Sequence, residues 1–482
     1  MQVSRLRRAV CVLGLAAAGV LGTGVAGAFA HADLVASSPA SGARLDREPA
    51  AVSLRFDEQV GFDIGSVAVV DTTGRRVDAG PPAHPGADPN SVKVSLPAGL
   101  ANGSYSVLWH VVSADGHPVS GSFSFGIRAA PQRAPAQPAP DPATTALHAA
   151  GSVAAYAGIV LLIGVPFFLV TIWPAGLHDP RLRRLLRVGW WLSAAGALAL
   201  FAVQGPYGAG LGPQAVLDPG LLAQTLTGRV GLLMLGRLFV LGLAAASGPW
   251  PGTTPVVGLR RDGIGLGVLI LVTFALAGHP GEGSLAPLTA TVDAVHLAAA
   301  SVWLGGLVVL LGTVLRTPVP EPAVGKVLAR WSRLAMAAVC VVAVTGAFQA
   351  WREVGTLDSL QRSDYGHVLL AKLAAVAGLL VVAELSRRVV RRLAARGVGS
   401  GSKGGVGGGG SVEGGGSVEG GGGVGSVEGG GGVELRRLRR LVLAEVAMGA
   451  VILVLTSVLV GTPPPRTDAP PAVPGLISSA RR

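Results

Sequence analysis

The sequence predicts two architectures in one chain: an exported all-β, Ig-like (Greek-key) sandwich, then an α-helical polytopic membrane domain of about eight transmembrane helices. Three observations carry that expectation. Half of the 482 residues are hydrophobic and 14% are charged, which is too apolar for a soluble protein of this length. Residues 31–128 lack long apolar runs and alternate apolar and polar with period two. From Thr144 onward, apolar segments of spanning length recur.

Residues 1–30 read as a secretory signal peptide. Arg5, Arg7 and Arg8 form a basic start, Ala9 to Val25 is apolar, and Ala28-Phe29-Ala30 supplies a small-x-small cleavage site. Cleavage there leaves His31 as the first residue. A competing cut at Ala26-Gly27-Ala28 would leave extra residues before His31, and a retained first helix would keep the whole segment. Within 31–128 the alternating runs are Val52-Leu54-Phe56, Val92-Val94-Leu96, Tyr105-Val107-Trp109-Val111 and Phe123-Phe125-Ile127. Turn signals such as Ser38-Pro39, Thr73-Gly74 and Asn102-Gly103 separate them, the pattern of an antiparallel sandwich with one face of each strand buried. Residues 129–145, rich in Pro and Ala, read as a semi-stiff linker.

The membrane domain is expected over 146–462. Its apolar segments fall near 147–173, 187–204, 229–247, 263–279, 289–313, 331–350, 367–386 and 440–460. Arginines fix the orientation. Alternate loops carry Arg181, Arg183, Arg184 and Arg187, then Arg260 and Arg261, then Arg316 and Arg330, then a dense set from Arg387 to Arg440. The positive-inside rule places those loops in the cytoplasm, with the sandwich and the 463–482 tail outside a bacterial inner (cytoplasmic) membrane. The formal charge of +12 therefore belongs to the lipid bilayer, and no nucleic-acid partner is expected. Residues 397–433, a glycine tract with repeated Ser-Val-Glu, read as a flexible cytoplasmic linker. Of the two cysteines, Cys11 falls in the signal segment, so the mature chain has no disulfide framework.

The chemistry centres on His31, Asp115 and His117. A free α-amine and the imidazole of the same first residue chelate one ion, and a second imidazole opposite them gives the three-nitrogen set that suits tetragonal Cu(II). Asp115-Gly116-His117 offers that imidazole and a carboxylate. In an extended chain residues i and i+2 share a face, and Gly116 lets the backbone pass close by.

The start His31-Ala-Asp-Leu-Val-Ala-Ser-Ser-Pro-Ala-Ser-Gly-Ala and the later Trp109-His-Val-Val-Ser-Ala-Asp-Gly-His-Pro-Val-Ser-Gly resemble the CopC family of periplasmic copper-binding proteins. Roughly 145–460, by Val295-His296-Leu297 through Trp303-Leu304-Gly305-Gly306 and by Gly366 through Lys372, resembles the CopD family of inner-membrane copper proteins. The whole chain is similar to a CopC–CopD fusion. The resemblance implies that the family's Cu(II) ligands carry over onto His31, Asp115 and His117. Some CopC proteins have a methionine-rich Cu(I) site. Residues 31–128 contain no methionine, so Cu(II) alone is implied there.

Further histidines crowd the outer half of the membrane domain. An outer-facing copper entry site is expected from His148, His279 and His296, with Asp293 orienting the His296 imidazole from one helical turn away. If copper crosses as Cu(I), softer ligands are needed, and Met336, Cys340 and Met448 are the candidates for an inner relay. His84 and His110 are expected to be plain surface residues.

The function these features imply is capture of Cu(II) outside and passage to the membrane domain for copper import. An extracytoplasmic copper chaperone or a reductase is the expected kind of partner. The alternatives are copper resistance by sequestration or delivery to exported cuproenzymes, and more remotely a haem-binding b-type cytochrome. No catalytic residues are expected, and no ATP-binding motif is present.

Overall fold

A computed structural model describes residues 34–113, 116, 118–135, 140–247, 256–278, 286–316, 321–354, 360–361, 364–400, 429–460 and 462. The eight strands are β1 (Leu34–Ser38), β2 (Arg44–Leu45), β3 (Ala51–Phe56), β4 (Val60–Asp71), β5 (Ala79–Ala83), β6 (Ser91–Ser95), β7 (Gly103–Ser113) and β8 (Pro118–Ile127). They form two four-stranded sheets, ordered β1-β3-β6-β5 and β2-β8-β7-β4. Pairing is antiparallel except for the short β2–β8 contact. All the alternating residues named above are buried in one core between the sheets, which is what a period of two demands when one face of each strand is covered. Trp109 reaches across β8 because its cross-strand partner is Gly121, where any Cβ would overlap the indole.

The linker does not hang free. Ser122 Oγ donates to Pro135 O at 2.9 Å, Gln132 N donates to Ser104 Oγ at 2.8 Å, and Ser124 Oγ donates to Gln132 O. These bonds strap residues 132–135 to the outer face of β7 and β8. The semi-stiff tether expected from composition is held there by serines that the alternating pattern turns outward.

The helices are α1 (Pro142–Thr171), α2 (Pro180–Ala209), α3 (Pro219–Thr227), α4 (Arg229–Ser247), α5 (Val256–Ala275), α6 (Ala286–Val309), α7 (Glu321–Val354), α8 (Asp364–Ser400) and α9 (Gly429–Val460). Three begin with Asp-Pro. Asp141, Asp179 and Asp218 each accept a hydrogen bond from a first-turn N–H, and the proline after each needs no N–H partner. Among the described residues, seven helices are long and apolar enough to span a membrane: α1, α2, α4, α6, α7, α8 and α9. The eighth expected segment, 263–279, begins in α5 and runs past its end, and the described apolar stretch Gly265–Ala275 is shorter than a span. Close α1–α2 packing runs through Gly151, Gly158, Gly189 and Gly196, and α1 meets α6 at Gly164 and Gly305. Small residues let helix backbones approach where lipid supplies no hydrophobic drive. The signal segment, the 397–433 linker beyond Ser400 as far as 428, and the tail from 463 lie outside the described residues.

Candidate metal centre

His31, Asp115, His117 and His279 lie outside the described residues. What is described is the ground on which the Asp115–His117 loop stands. Ser113 ends β7, and Pro118 begins β8. Between them the Gly116 N–H donates to Ser113 O at 2.9 Å, and Gly116 has φ +87, a conformation open to glycine and costly for other residues. The backbone at Gly116 therefore turns. The expectation that Asp115 and His117 share the face of an extended segment falls on residues outside those described.

This hairpin is seated on the bundle. Gln204, a buried side chain near the end of α2, donates from Nε2 to Gly116 O at 2.9 Å. A Cβ on Gly116 would lie 2.8 Å from Gln204 Nε2 and 3.0 Å from Val230 on α4. Gly116 is thus needed twice, for its φ and for the close approach of α2 and α4.

His110 makes the second bond of the junction. Its Nε2 lies 2.6 Å from Gly208 O. A carbonyl only accepts, so Nε2 carries the proton. Gly208 is in the last turn of α2, where carbonyls lack partners within the helix, and the imidazole supplies one. The expectation that His110 is a plain surface residue is overturned. It does point away from the Trp109 core, but the outer face of that sheet is docked on the bundle. His84 stays local, with Nδ1 2.8 Å from Ser91 O.

One residue before Gly208, Tyr207 stacks flat on His148 of α1, with ring centroids 4.1 Å apart and planes at 6°. The loop that carries Asp115 and His117 therefore meets the bundle three residues along α2 from the contact of His148.

His296 sits deeper on α6. Its Nδ1 lies 2.8 Å from Thr345 Oγ1 on α7, and that hydroxyl donates to Val341 O at 2.6 Å. With its one proton committed to its own helix, the threonine oxygen accepts from Nδ1–H. The neutral ring then keeps its lone pair on Nε2, the atom a metal would use. The expected partner Asp293 accepts from Gln349 Nε2 at 3.0 Å, and the imidazole bonds Thr345 of α7.

The sulfur candidates have separate surroundings. Met336 Sδ receives Arg387 Nη1 at 3.7 Å, Met448 packs against Gly378 of α8, and Cys340 is a free, half-buried thiol. Among the described residues no group of three His, Cys, Asp or Glu is placed to hold a metal. Arg237, buried within α4, lies 3.5 Å over the Phe274 ring and donates to Thr273.

Three family models match: the CopC domain over residues 34–128, the copper resistance protein D-like N-terminal domain over 143–286, and copper resistance protein D over 325–459. Copper resistance protein C of Xanthomonas campestris pv. juglandis is 36% identical over 108 residues, which cover 84% of that protein and 21% of this chain. The chain belongs to the CopC–CopD family. Copper transport protein CutJ of Bacillus subtilis (strain 168) is 28% identical to this CopC–CopD chain over 390 residues, 77% of this chain and 70% of CutJ. Among solved structures, CopC from Methylosinus trichosporium OB3b is 31% identical and covers 22% of this chain and all of its own, with a TM-score of 0.19. The chain is thus a multi-pass membrane protein of the copper resistance and transport family, with a CopC domain at its N-terminal end. Gln204, Tyr207 and His110 were not legible as junction residues. Gln204 did leave a signal, as an amide inside an otherwise apolar span.

Proposed function

We propose that this CopC–CopD protein imports copper. His31, through its freed amine and imidazole, holds Cu(II) with Asp115 and His117 on the outer side of a bacterial inner membrane, and the ion passes to the bundle. The observation that supports this reading is the seating of the ligand loop, through Gly116 on Gln204 and His110 on Gly208, beside the His148–Tyr207 stack. A loop so held delivers its cargo without leaving the membrane domain. His296, with Nε2 available as a donor, is the next proposed ligand inward.

The proposal is tested in copper-limited cells. Deleting the gene is expected to lower cell copper, and re-expression of a His31→Ala variant is expected not to restore it. Tight Cu(II) binding should be lost from the purified variant while exchange protection of β3, β6 and β7 persists. Unchanged cell copper together with greater sensitivity to excess copper would overturn import in favour of sequestration.

A further inference from the structure

Where α6, α7, α8 and α9 converge at the arginine-rich end of the bundle they leave a cavity of about 90 Å³, bordered by Trp303, Met336, Ser386, Arg387 and Glu445. By the same measure a water needs ~10–15 Å³, so there is room for several. Glu445, on α9, is 3% exposed. Ser386 Oγ donates to its Oε1 at 2.5 Å, and among the described residues no ion pair reaches it. The arginines of α8 are engaged elsewhere. Arg388 and Arg391 hold Glu384 at 3.1 and 2.9 Å, and Arg387 directs Nη1 toward Met336 and Glu384. Arg387 Nε is buried with no hydrogen-bond partner, a donor that cavity water would satisfy. The titratable groups on the cavity wall besides Glu445 are Glu384 and Arg387 of α8, while α6 and α7 present neutral side chains there.

A buried carboxyl with one neutral donor is costly to ionise while the cavity is dry and cheap to ionise once water reaches it. We propose that Glu445 is a proton-binding site that exchanges its proton with the arginine-rich side through this cavity, so that the pH on that side tunes copper movement through the bundle. That tuning rests on the import reading above. The step breaks only the carboxyl O–H bond, sends the proton to cavity water and past Glu384 to the arginine-rich side, and involves no electron transfer.

The test uses the full chain. Infrared difference spectra are expected to show a protonated carboxyl stretch that Glu445→Gln removes and Ser386→Ala moves in frequency. In liposomes, copper uptake by the wild type should depend on the pH of the arginine-rich side. Glu445→Gln should flatten that pH profile, Glu445→Asp should retain it, and Cu(II) binding outside should be the same in all. Absence of the carboxyl band, or a Glu445→Gln profile identical to wild type, overturns the inference. A band that disappears in Glu445→Gln while the wild type moves no copper upholds the proton site and overturns import.

Discussion

The sandwich closes one continuous apolar core from Val52 to Ile127, whereas the bundle divides its interior among four apolar clusters and buries Arg237, Gln204 and Glu445 between them. Water drives the first arrangement, since every strand face turned inward gains by leaving solvent. Lipid offers no such drive to helices already surrounded by hydrocarbon, so small residues and buried polar contacts decide how they meet. The spanning window of α6 is 67% buried while those of α7 and α8 are 11% buried, so α6 is the axis and its neighbours face lipid. The polar groups of the bundle are accordingly the ones to read for chemistry, and in the sandwich it is the polar rim.

That contrast can be broken experimentally. Trp109→Ala empties the largest site in the sandwich core and is expected to cost ~3–5 kcal/mol, roughly a 10²–10³-fold or greater rise in exchange rates of the amides in β3, β6 and β7. Amides of α1 and α2 should not change if the two interiors are independent. A matching loss of protection in the bundle would show that one cooperative unit spans both.

A smaller effect sharpens the boundary. Gln204→Ala leaves Gly116 O without its donor at the junction and is expected to cost ~1–3 kcal/mol of docking. Exchange at the Gly116 amide should speed up accordingly and copper uptake should fall several-fold, with Cu(II) affinity unchanged. Altered affinity would mean that α2 shapes the metal site itself.

The smallest effect is electrostatic. Hydrogen bonds from the Thr73 hydroxyl and N–H and from Arg75 hold the half-buried Asp71 carboxyl down at about 2, below its ordinary 3.8. A depressed carboxyl adds stability that is complete above the unfolded value and is lost as pH falls through the folded one, here from about 4 to about 2. Asp71→Asn should therefore flatten the acid limb of sandwich unfolding in that window and leave the neutral-pH stability of the bundle untouched. An unchanged acid limb would show that these hydrogen bonds persist in the unfolded chain.

Legibility in the sequence followed the same division. Alternation placed Val52, Trp109 and Phe125 in the core because period two has one physical solution once a face is covered. Apolar length found α1, α2, α4 and α6 to α9. Neither rule speaks about what docks on an outward face, so His110 read as surface although it caps Gly208. The His296 partner was sought on its own helix because spacing is visible in sequence, whereas Thr345 lies 49 residues away and is brought there by packing alone.

The strap of Gln132 and Pro135 on β7 and β8 bears on competition between copper carriers. Past Pro135 the chain has six residue steps to the Asp141 cap of α1, a reach of at most ~20 Å. So short a leash keeps the Gly116 loop near its seat at an effective concentration in the millimolar range. A detached carrier from outside would have to approach that abundance to displace it. The fused arrangement thus reserves the seat at Gln204 and Val230 for its own sandwich.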